Sequence, residues 1–337
     1  MTSRYRQDEQ FDKVAASGGH EQAQGSREMN VRRHLALLAL LAGSIAAAGI
    51  RAPPAAARDN LARGAAPVPD FSGVWHHGRL PWFIPPASGP GPVTNLSREK
   101  GTGVSDNASL VGDYKNPILQ AWAAEVVRKR GELSRAGIIN PNPSNTCWPE
   151  PVPFLFKNAA IEMLQLPAET VMLFSEDHEV RRARMNEPHP AQVTPSWHGD
   201  AVGHYEGDTL VIDTVGVRTD RPHPMIDLFG TPYTGKLHVV ERYRLVDLAD
   251  AKDALARGAK ENRRATAEPI FSNYSDKYLR IDFTIEDAGA FTTPWMANMI
   301  YQRDRHEEWT EVACAENTFD FFHSEAAQVP RADKPDF

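Results

Sequence analysis

The residues between Trp197 and Thr214 combine an imidazole with a carboxylate in a pattern that suits proton transfer. The pair Gly207-Asp208 is typical of a two-residue hairpin turn, which fixes the residues that face each other across two strands. The expected opposite pairs are Glu206 with Thr209, His204 with Val211, and Val202 with Asp213. His204 and Asp213 then lie diagonally on one face, so the carboxylate could orient the imidazole as a general base near neutral pH. The alternative is a structural Asp213 that accepts hydrogen bonds from Thr214 or a neighbouring backbone, with His204 in water.

His198 is a second candidate base, in the irregular segment that precedes this hairpin. It follows Trp197 and stands beside Gly199, so its imidazole would be accessible. Loops at the mouth of a barrel are a common place for reacting groups. A surface histidine without a role is the alternative.

Glu241 and Tyr243 are candidates for the acid side of the same chemistry. They alternate along one strand, so their side chains share one face. In a cavity, the carboxyl group would act as an acid and the phenol as a hydrogen-bond donor. In the alternative arrangement, they form hydrogen bonds and ion pairs with arginine side chains on the adjoining strand. Four aromatic residues are predicted to wall such a cavity, although each could be ordinary core: Trp75, Tyr205, Phe229 and Trp295.

Histidines in rigid, proline-flanked turns raise the question of a metal site. His189 and His223 each stand between two prolines and, with His198 and His204, supply enough imidazoles for one. However, the chain has neither a short His-x-His pair nor a His-Glu-x-x-His motif. It also lacks a Gly-x-Ser-x-Gly elbow, a P-loop and a Gly-x-Gly-x-x-Gly motif after a strand. We therefore expect neither a metal nor a cofactor.

These residues need a scaffold of short strands, and the second half of the chain predicts one. Apolar and polar residues alternate with period two from about residue 161 onward, with short turns between the segments. The expected strands are 161–166, 170–175, 179–185, 201–206, 209–217, 236–246, 277–286, 293–303 and 307–314. An antiparallel meander of this length must hide its edges, so the predicted fold class is all-β, closed into a lipocalin-like barrel or a strongly curved sheet.

Two helical segments accompany the strands. A 3.6-residue apolar stripe predicts an amphipathic helix from residue 116 to about 135, and a further short strand is expected at 71–75. Residues 250–274 are predicted to be a helical insertion between two strands, which is a candidate lid. The predicted domains are an extended, proline-rich segment with one helix at 58–150, the barrel at 151–320 and a tail at 321–337.

Residues 1–57 are predicted to be a leader and not part of the fold. Arg32 and Arg33 precede an apolar run over 35–50 and the small residues 55–57, which are the three parts of a secretory signal at 29–57. A membrane anchor is the alternative, but this run is shorter than the ~20 residues that a spanning helix needs. We expect a periplasmic or secreted protein without a stable membrane span. The formal net charge of −7, without a basic stripe, argues against a nucleic-acid partner.

The two cysteines of the chain, Cys147 and Cys314, are predicted to form a disulfide in an oxidising compartment. A nucleophilic cysteine is the alternative, and it would leave the other thiol exposed to oxidation. The disulfide would stabilise the fold by ~4 to 5 kcal/mol in the loop-entropy account and would take no part in catalysis.

Five segments of the sequence, taken together, resemble a known family of proteins. They are residues 69–75, 171–174 with 177–178, 188–190, 202–214 and 238–243. In combination they resemble a large family of exported, β-rich proteobacterial proteins whose members are usually labelled hypothetical. The resemblance covers about residues 69–317 and implies an exported all-β domain. The family brings no settled activity, so it supplies no catalytic roles.

These features favour an exported, cofactor-independent acid–base enzyme: an isomerase, cyclase, lyase or hydrolase that acts on a mostly apolar small molecule inside the barrel. His198 or His204 would be the base, Asp213 its orienter, and Glu241 with Tyr243 the acid side. A lipocalin-like carrier that only binds a ligand in the same cavity is the alternative. A structural module of the envelope, with the basic segment 260–264 as its contact surface, is the third hypothesis.

Overall fold

The computed structural model of the protein describes residues 68–77, 83–175, 179–261 and 276–304. The predicted leader, the predicted strand at 307–314 and the predicted tail lie outside these residues, as does most of the basic segment 260–264. Cys314 lies outside them too, so its disulfide with Cys147 stays a prediction.

The described residues contain nine strands, which form a closed barrel in which strands pair in chain order and β1 closes onto β9. They are β1 (Gly73–His76), β2 (Ala160–Gln165), β3 (Glu169–Phe174), β4 (Glu179–Met185), β5 (Asp200–Glu206), β6 (Thr209–Val215), β7 (His238–Val246), β8 (Tyr278–Glu286) and β9 (Trp295–Arg303). The predicted all-β fold and its closure into a barrel are confirmed. Closure pairs both edges of the sheet, which removes the exposed edges that a long meander would otherwise have.

The pair β4–β5 is parallel, whereas the other neighbouring pairs are antiparallel. The prediction of an uninterrupted antiparallel meander is therefore wrong at this point. An antiparallel pair can be joined by a tight hairpin, but a parallel pair needs a connection that runs back along the strands. Residues 186–199, the crossover segment, make this connection. It approaches β6 closely at Gly216, which has a left-handed backbone (φ 70°) and where a Cβ would lie 2.3 Å from Val193.

Inward-facing side chains fill the barrel with one apolar core. On β8 the inward residues are at most 1% exposed: Leu279, Ile281, Phe283 and Ile285. They belong to a single cluster of buried side chains that includes residues from all nine strands. Fully burying one such side chain contributes roughly 1.5–3 kcal/mol, which favours a filled interior over a hollow one.

The described residues also form two α-helices and two 3-10 helices. The α-helices are α1 (Ala121–Arg135) and α2 (Leu248–Glu261), and the 3-10 helices are Ser144–Thr146 and Phe154–Lys157. The expected helix in the insertion is confirmed by α2, which buries Ala251 and Ala254. The N-terminal helix is also confirmed, but α1 begins five residues later than predicted. The cause is a turn in which the Asn116 side chain accepts a hydrogen bond from the backbone N–H of Ile118.

Within the four described ranges, no helix has the length and apolar character that crossing a bilayer requires.

Candidate active site on the outer face of the barrel

The β5–β6 hairpin has the register that its Gly207-Asp208 turn predicts. The opposite pairs are Glu206 with Thr209, His204 with Val211, and Val202 with Asp213. Along β6, Ile212 and Thr214 are fully buried and point inward, so Asp213 between them points outward. Its side chain is 35% exposed. The carboxylate therefore belongs to the outer face of the barrel and not to its interior.

His204 pairs with Glu206 and not with Asp213, so the predicted His204–Asp213 contact is wrong. The His204 Nε2 lies 3.0 Å from Glu206 Oε1. Glu206 is two residues away on the same strand and the same face, and Arg242 fixes its other oxygen at 2.6 Å. His204 therefore pairs with a carboxylate of its own strand, Glu206, and not with the carboxylate of Asp213 on β6. This imidazole is about half exposed.

Asp213 instead accepts hydrogen bonds from two other imidazoles. Its Oδ1 lies 3.0 Å from the Nε2 of His238 and 3.1 Å from the Nε2 of His189. His238 begins β7 opposite Val215, two residues beyond Asp213 on the same face. The hydrogen bond from His238 lowers the pKa of Asp213, and the bond from His189 adds to this effect. The bond to Asp213 in turn raises the pKa of His238 above its usual value.

A second carboxylate, Asp200, holds the other side of His189. The Nδ1 of His189 lies 2.6 Å from Asp200 Oδ2. Arg184, near the end of β4, donates to the two oxygens of Asp200 at 2.7 and 3.1 Å, and this bonding lowers the pKa of Asp200. Five side chains, in which the arginine and the two imidazoles alternate with carboxylates, thus form the outer-face network: Arg184, Asp200, His189, Asp213 and His238.

A pocket of about 270 Å³ lies at the His238 end of the outer-face network. It is lined by Lys236, His238, Glu286, Asp287, Ala288, Phe291, Thr292, Thr293 and Pro294. The Nδ1 of His238, which is the nitrogen not bound to Asp213, lies 3.8 Å from Glu286 Oε2 in this lining. Asp287 has a structural role, because its carboxylate accepts hydrogen bonds from the backbone N–H and the hydroxyl of Thr234.

Glu241 and Tyr243 point into the barrel and meet an arginine there. The two Glu241 oxygens each lie 2.7 Å from Arg181 of β4, and the Tyr243 hydroxyl donates to Glu241 at 2.6 Å. Arg181 also donates to Thr214 at 2.7 Å. All four side chains belong to residues that are at most 1% exposed, and burial raises the pKa of Tyr243 well above its usual value. This is the alternative arrangement, in which the carboxylate satisfies an arginine, although the arginine comes from across the barrel and not from an adjoining strand.

His198 lies in the last part of the crossover segment and is not among the residues that line the pocket. Its Nε2 is 3.0 Å from Oε2 of Glu179, the first residue of β4, and its side chain is 18% exposed. It is thus more covered than the accessible imidazole that the sequence predicts.

The predicted aromatic residues are mostly core. Trp75, Phe229 and Trp295 are at most 2% exposed. Tyr205 is partly exposed, and its hydroxyl accepts a hydrogen bond from Gln165 at 2.9 Å. Trp295 packs edge-on against Phe291, with 5.7 Å between the ring centroids, so it supports one wall of the pocket from behind.

Sequence reasoning misses His238 and considers His189 only as a metal ligand. The one signal for His238 is that it begins a strand whose alternation leaves it on the outer face. Nothing in the sequence fixes the register of β7 against β6, because residues 216–237 separate the two strands. Among the residues that the structure describes, no three His, Cys, Asp or Glu side chains are arranged to hold a metal ion.

No family model, no curated protein and no solved structure matches this chain.

Proposed function

We propose that this protein is a cofactor-independent acid–base enzyme in which His238 transfers a proton to or from a small molecule in the adjacent pocket. Asp213 orients the imidazole. The observation that carries this proposal is the orientation of the His238 ring. One nitrogen is bound to Asp213 at 3.0 Å, and the other faces the pocket lining, 3.8 Å from Glu286.

The bond to Asp213 determines which nitrogen of His238 acts as the base. An ionised carboxylate only accepts hydrogen bonds, so Nε2 carries a hydrogen in both protonation states of the ring. The proton that is exchanged near neutral pH is therefore the one on Nδ1, on the pocket side. Neutral His238 accepts a proton there from a substrate or from water, and the imidazolium then returns it to a leaving group or to another atom of the substrate.

The pocket suits a small, mostly apolar substrate with a polar end. Its volume of about 270 Å³ lies near the lower limit of ligand pockets, which is roughly 300 Å³. Phe291 and Pro294 supply apolar contacts, whereas Lys236 and Glu286 supply charged ones. Isomerisation, cyclisation, elimination and hydrolysis all need a proton transfer that one oriented imidazole can supply. Such catalysis typically contributes ~10² to 10⁴ in rate.

The location of the pocket favours an enzyme over a lipocalin-like carrier. A carrier of that kind needs a hollow barrel, but the inward-facing apolar side chains of the described strands belong to one buried cluster. The pocket beside His238 lies instead where β7, β8 and the loop to β9 meet. We place the activity in the periplasm or outside the cell, on the basis of the secretory pattern at 29–57 and the expected pairing of Cys147 with Cys314.

The test is hydrolysis of 4-nitrophenyl acetate, a small activated ester that reports a reactive imidazole. The two variants to compare are His238→Ala and His204→Ala, because both histidines lie on the outer face and each is paired with a carboxylate. We expect His238→Ala to lose about 10²-fold or more of the catalysed rate and His204→Ala to keep it.

Three outcomes of this test count against the proposal. They are full activity in His238→Ala, loss of activity in His204→Ala alone, and no rate above the buffer background in the unchanged protein. The second outcome would return the role of base to the histidine that the sequence indicates. The third, if a small ester binds without turnover, would indicate a binding protein whose ligand site is this outer pocket.

A further inference from the structure

The other imidazole of the outer-face network, His189, does not line the pocket. It lies on the crossover segment between Pro188 and Pro190, which restrict the backbone on both sides. Both of its ring nitrogens meet carboxylates, Nδ1 with Asp200 at 2.6 Å and Nε2 with Asp213 at 3.1 Å. Its side chain is 25% exposed, so the ring is largely covered while it makes these two contacts.

The hydrogens in this part of the network can be counted. Arg184 donates to the two oxygens of Asp200, and His238 donates to Asp213, so both carboxylates are stabilised in the ionised form. An ionised carboxylate has no hydrogen to donate, so each nitrogen of His189 has to supply one. Only the imidazolium form carries a hydrogen on both nitrogens. A neutral ring would direct a lone pair at a carboxylate oxygen within 3.1 Å, which is repulsive.

We propose that His189 is a positioning residue of this site: an imidazolium that donates to the same oxygen of Asp213 as His238 and competes with His238 for the negative charge of this carboxylate. The inference rests on the proposed function, because it concerns the basicity of the same His238. Asp213 Oδ1 is shared by both rings, so part of its negative charge already compensates His189. The proton on His238 is therefore held less tightly than an unshared carboxylate would hold it.

The other charged groups around the two rings are all still present when His189 is replaced. Those that face His238 are Asp213 on β6, Glu286 at the end of β8, and Lys236 and Asp287 in the pocket lining. Those around His189 are Asp200 and Asp213, with Arg184 bound to both Asp200 and Glu187. Because they are common to all variants, a change in the titration of His238 reports the competition at Asp213.

The test is an NMR titration of the His238 ring in the full-length protein and in His189→Gln. Glutamine can still donate a hydrogen bond to one carboxylate but carries no charge. We expect His238 in this variant to titrate at higher pH, with an acid dissociation constant about two- to fivefold smaller. His204→Gln is the matched control, because it removes an imidazole from the same face that is bound to Glu206. It should leave the His238 titration unchanged.

A second measurement does not depend on any variant. The ¹⁵N chemical shifts of the His189 ring in the unchanged protein should show both nitrogens protonated at neutral pH. A neutral His189 overturns the inference, as does a His238 titration in His189→Gln that stays in place or moves to lower pH. A purely structural role for His189 gives no shift to higher pH. These outcomes differ from failure of the proposed function, which is turnover that persists in His238→Ala.

Discussion

Replacing Asp213 with asparagine should move the titration of His238 to lower pH, because it removes the negative charge that the imidazolium contacts at 3.0 Å. Two unit charges 4 Å apart interact by ~4 kcal/mol at an effective dielectric constant of 20 and by ~1 kcal/mol in water. The two side chains are 34% and 35% exposed, so solvent screening places the interaction near the lower value. Since 1.36 kcal/mol corresponds to tenfold, His238 should release its proton about fivefold more readily in this variant.

The assay is the pH dependence of 4-nitrophenyl acetate hydrolysis, checked by NMR titration of His238. The pKa of His238 is raised above its ordinary 6.5, and the base is the neutral form, so the rate in the unchanged protein should rise with pH through a midpoint above 6.5. Asp213→Asn should show a midpoint at lower pH and a lower plateau, because the ring is no longer oriented. Glu206→Gln removes the carboxylate beside His204 and is the matched control. A midpoint that stays in place or rises in Asp213→Asn would refute the reasoning.

Three further results are expected for stability, each measured by urea unfolding. The lowered pKa values of Asp200 and Asp213 stabilise the fold above their unfolded value of 3.8, and this contribution is lost as pH falls through the folded values. In the double variant Asp200→Asn/Asp213→Asn, the free energy of unfolding should therefore fall less as pH is lowered. An unchanged dependence on pH would contradict the network. Arg181→Met leaves Glu241 buried without its partner, so the free energy of unfolding should fall by about 3–5 kcal/mol. The double variant Arg181→Met/Glu241→Leu should recover most of this loss. A loss under about 1 kcal/mol in Arg181→Met would be inconsistent with the buried pair. Burial raises the pKa of Asp227 from 3.8 to about 6, so the fold loses stability as pH rises between these two values, and the loss is complete above about pH 6. Asp227→Asn should stabilise the protein by up to about 3 kcal/mol at pH 8 but not at pH 4, and an equal effect at both pH values would argue against this account.

The barrel and its best-defined hairpin could be predicted because local sequence determines them. Alternation with period two sets which side chains of a strand face the core, and the strong pattern in β8 leaves little choice. The Gly207-Asp208 turn then fixes the register of β5 against β6. Asp213 could be singled out for the same reason, since a carboxylate between Ile212 and Thr214 stands out against its neighbours.

The partners of Asp213 could not be predicted, because one lies within a long connection and the other directly follows one, and the sequence does not determine the path of either connection. His189 comes from the crossover segment, which lies across the outer face only because β4 and β5 are parallel. His238 comes after residues 216–237, and its register against β6 depends on packing across the whole barrel. The filled interior also depends on contacts between residues far apart in the sequence. The sequence around Glu241 is compatible with a cavity, but Arg181, from the other side of the barrel, binds both oxygens of Glu241.

Chemical rescue tests most directly whether His238 is the base of this site. Truncation to alanine leaves room for a free imidazole beside Asp213, at the edge of the pocket. We predict that added imidazole restores ester hydrolysis in His238→Ala along a saturating curve, above the linear rate of imidazole alone, and has no such effect on His204→Ala. A strictly linear response in His238→Ala, or the same response in both variants, would contradict the assignment.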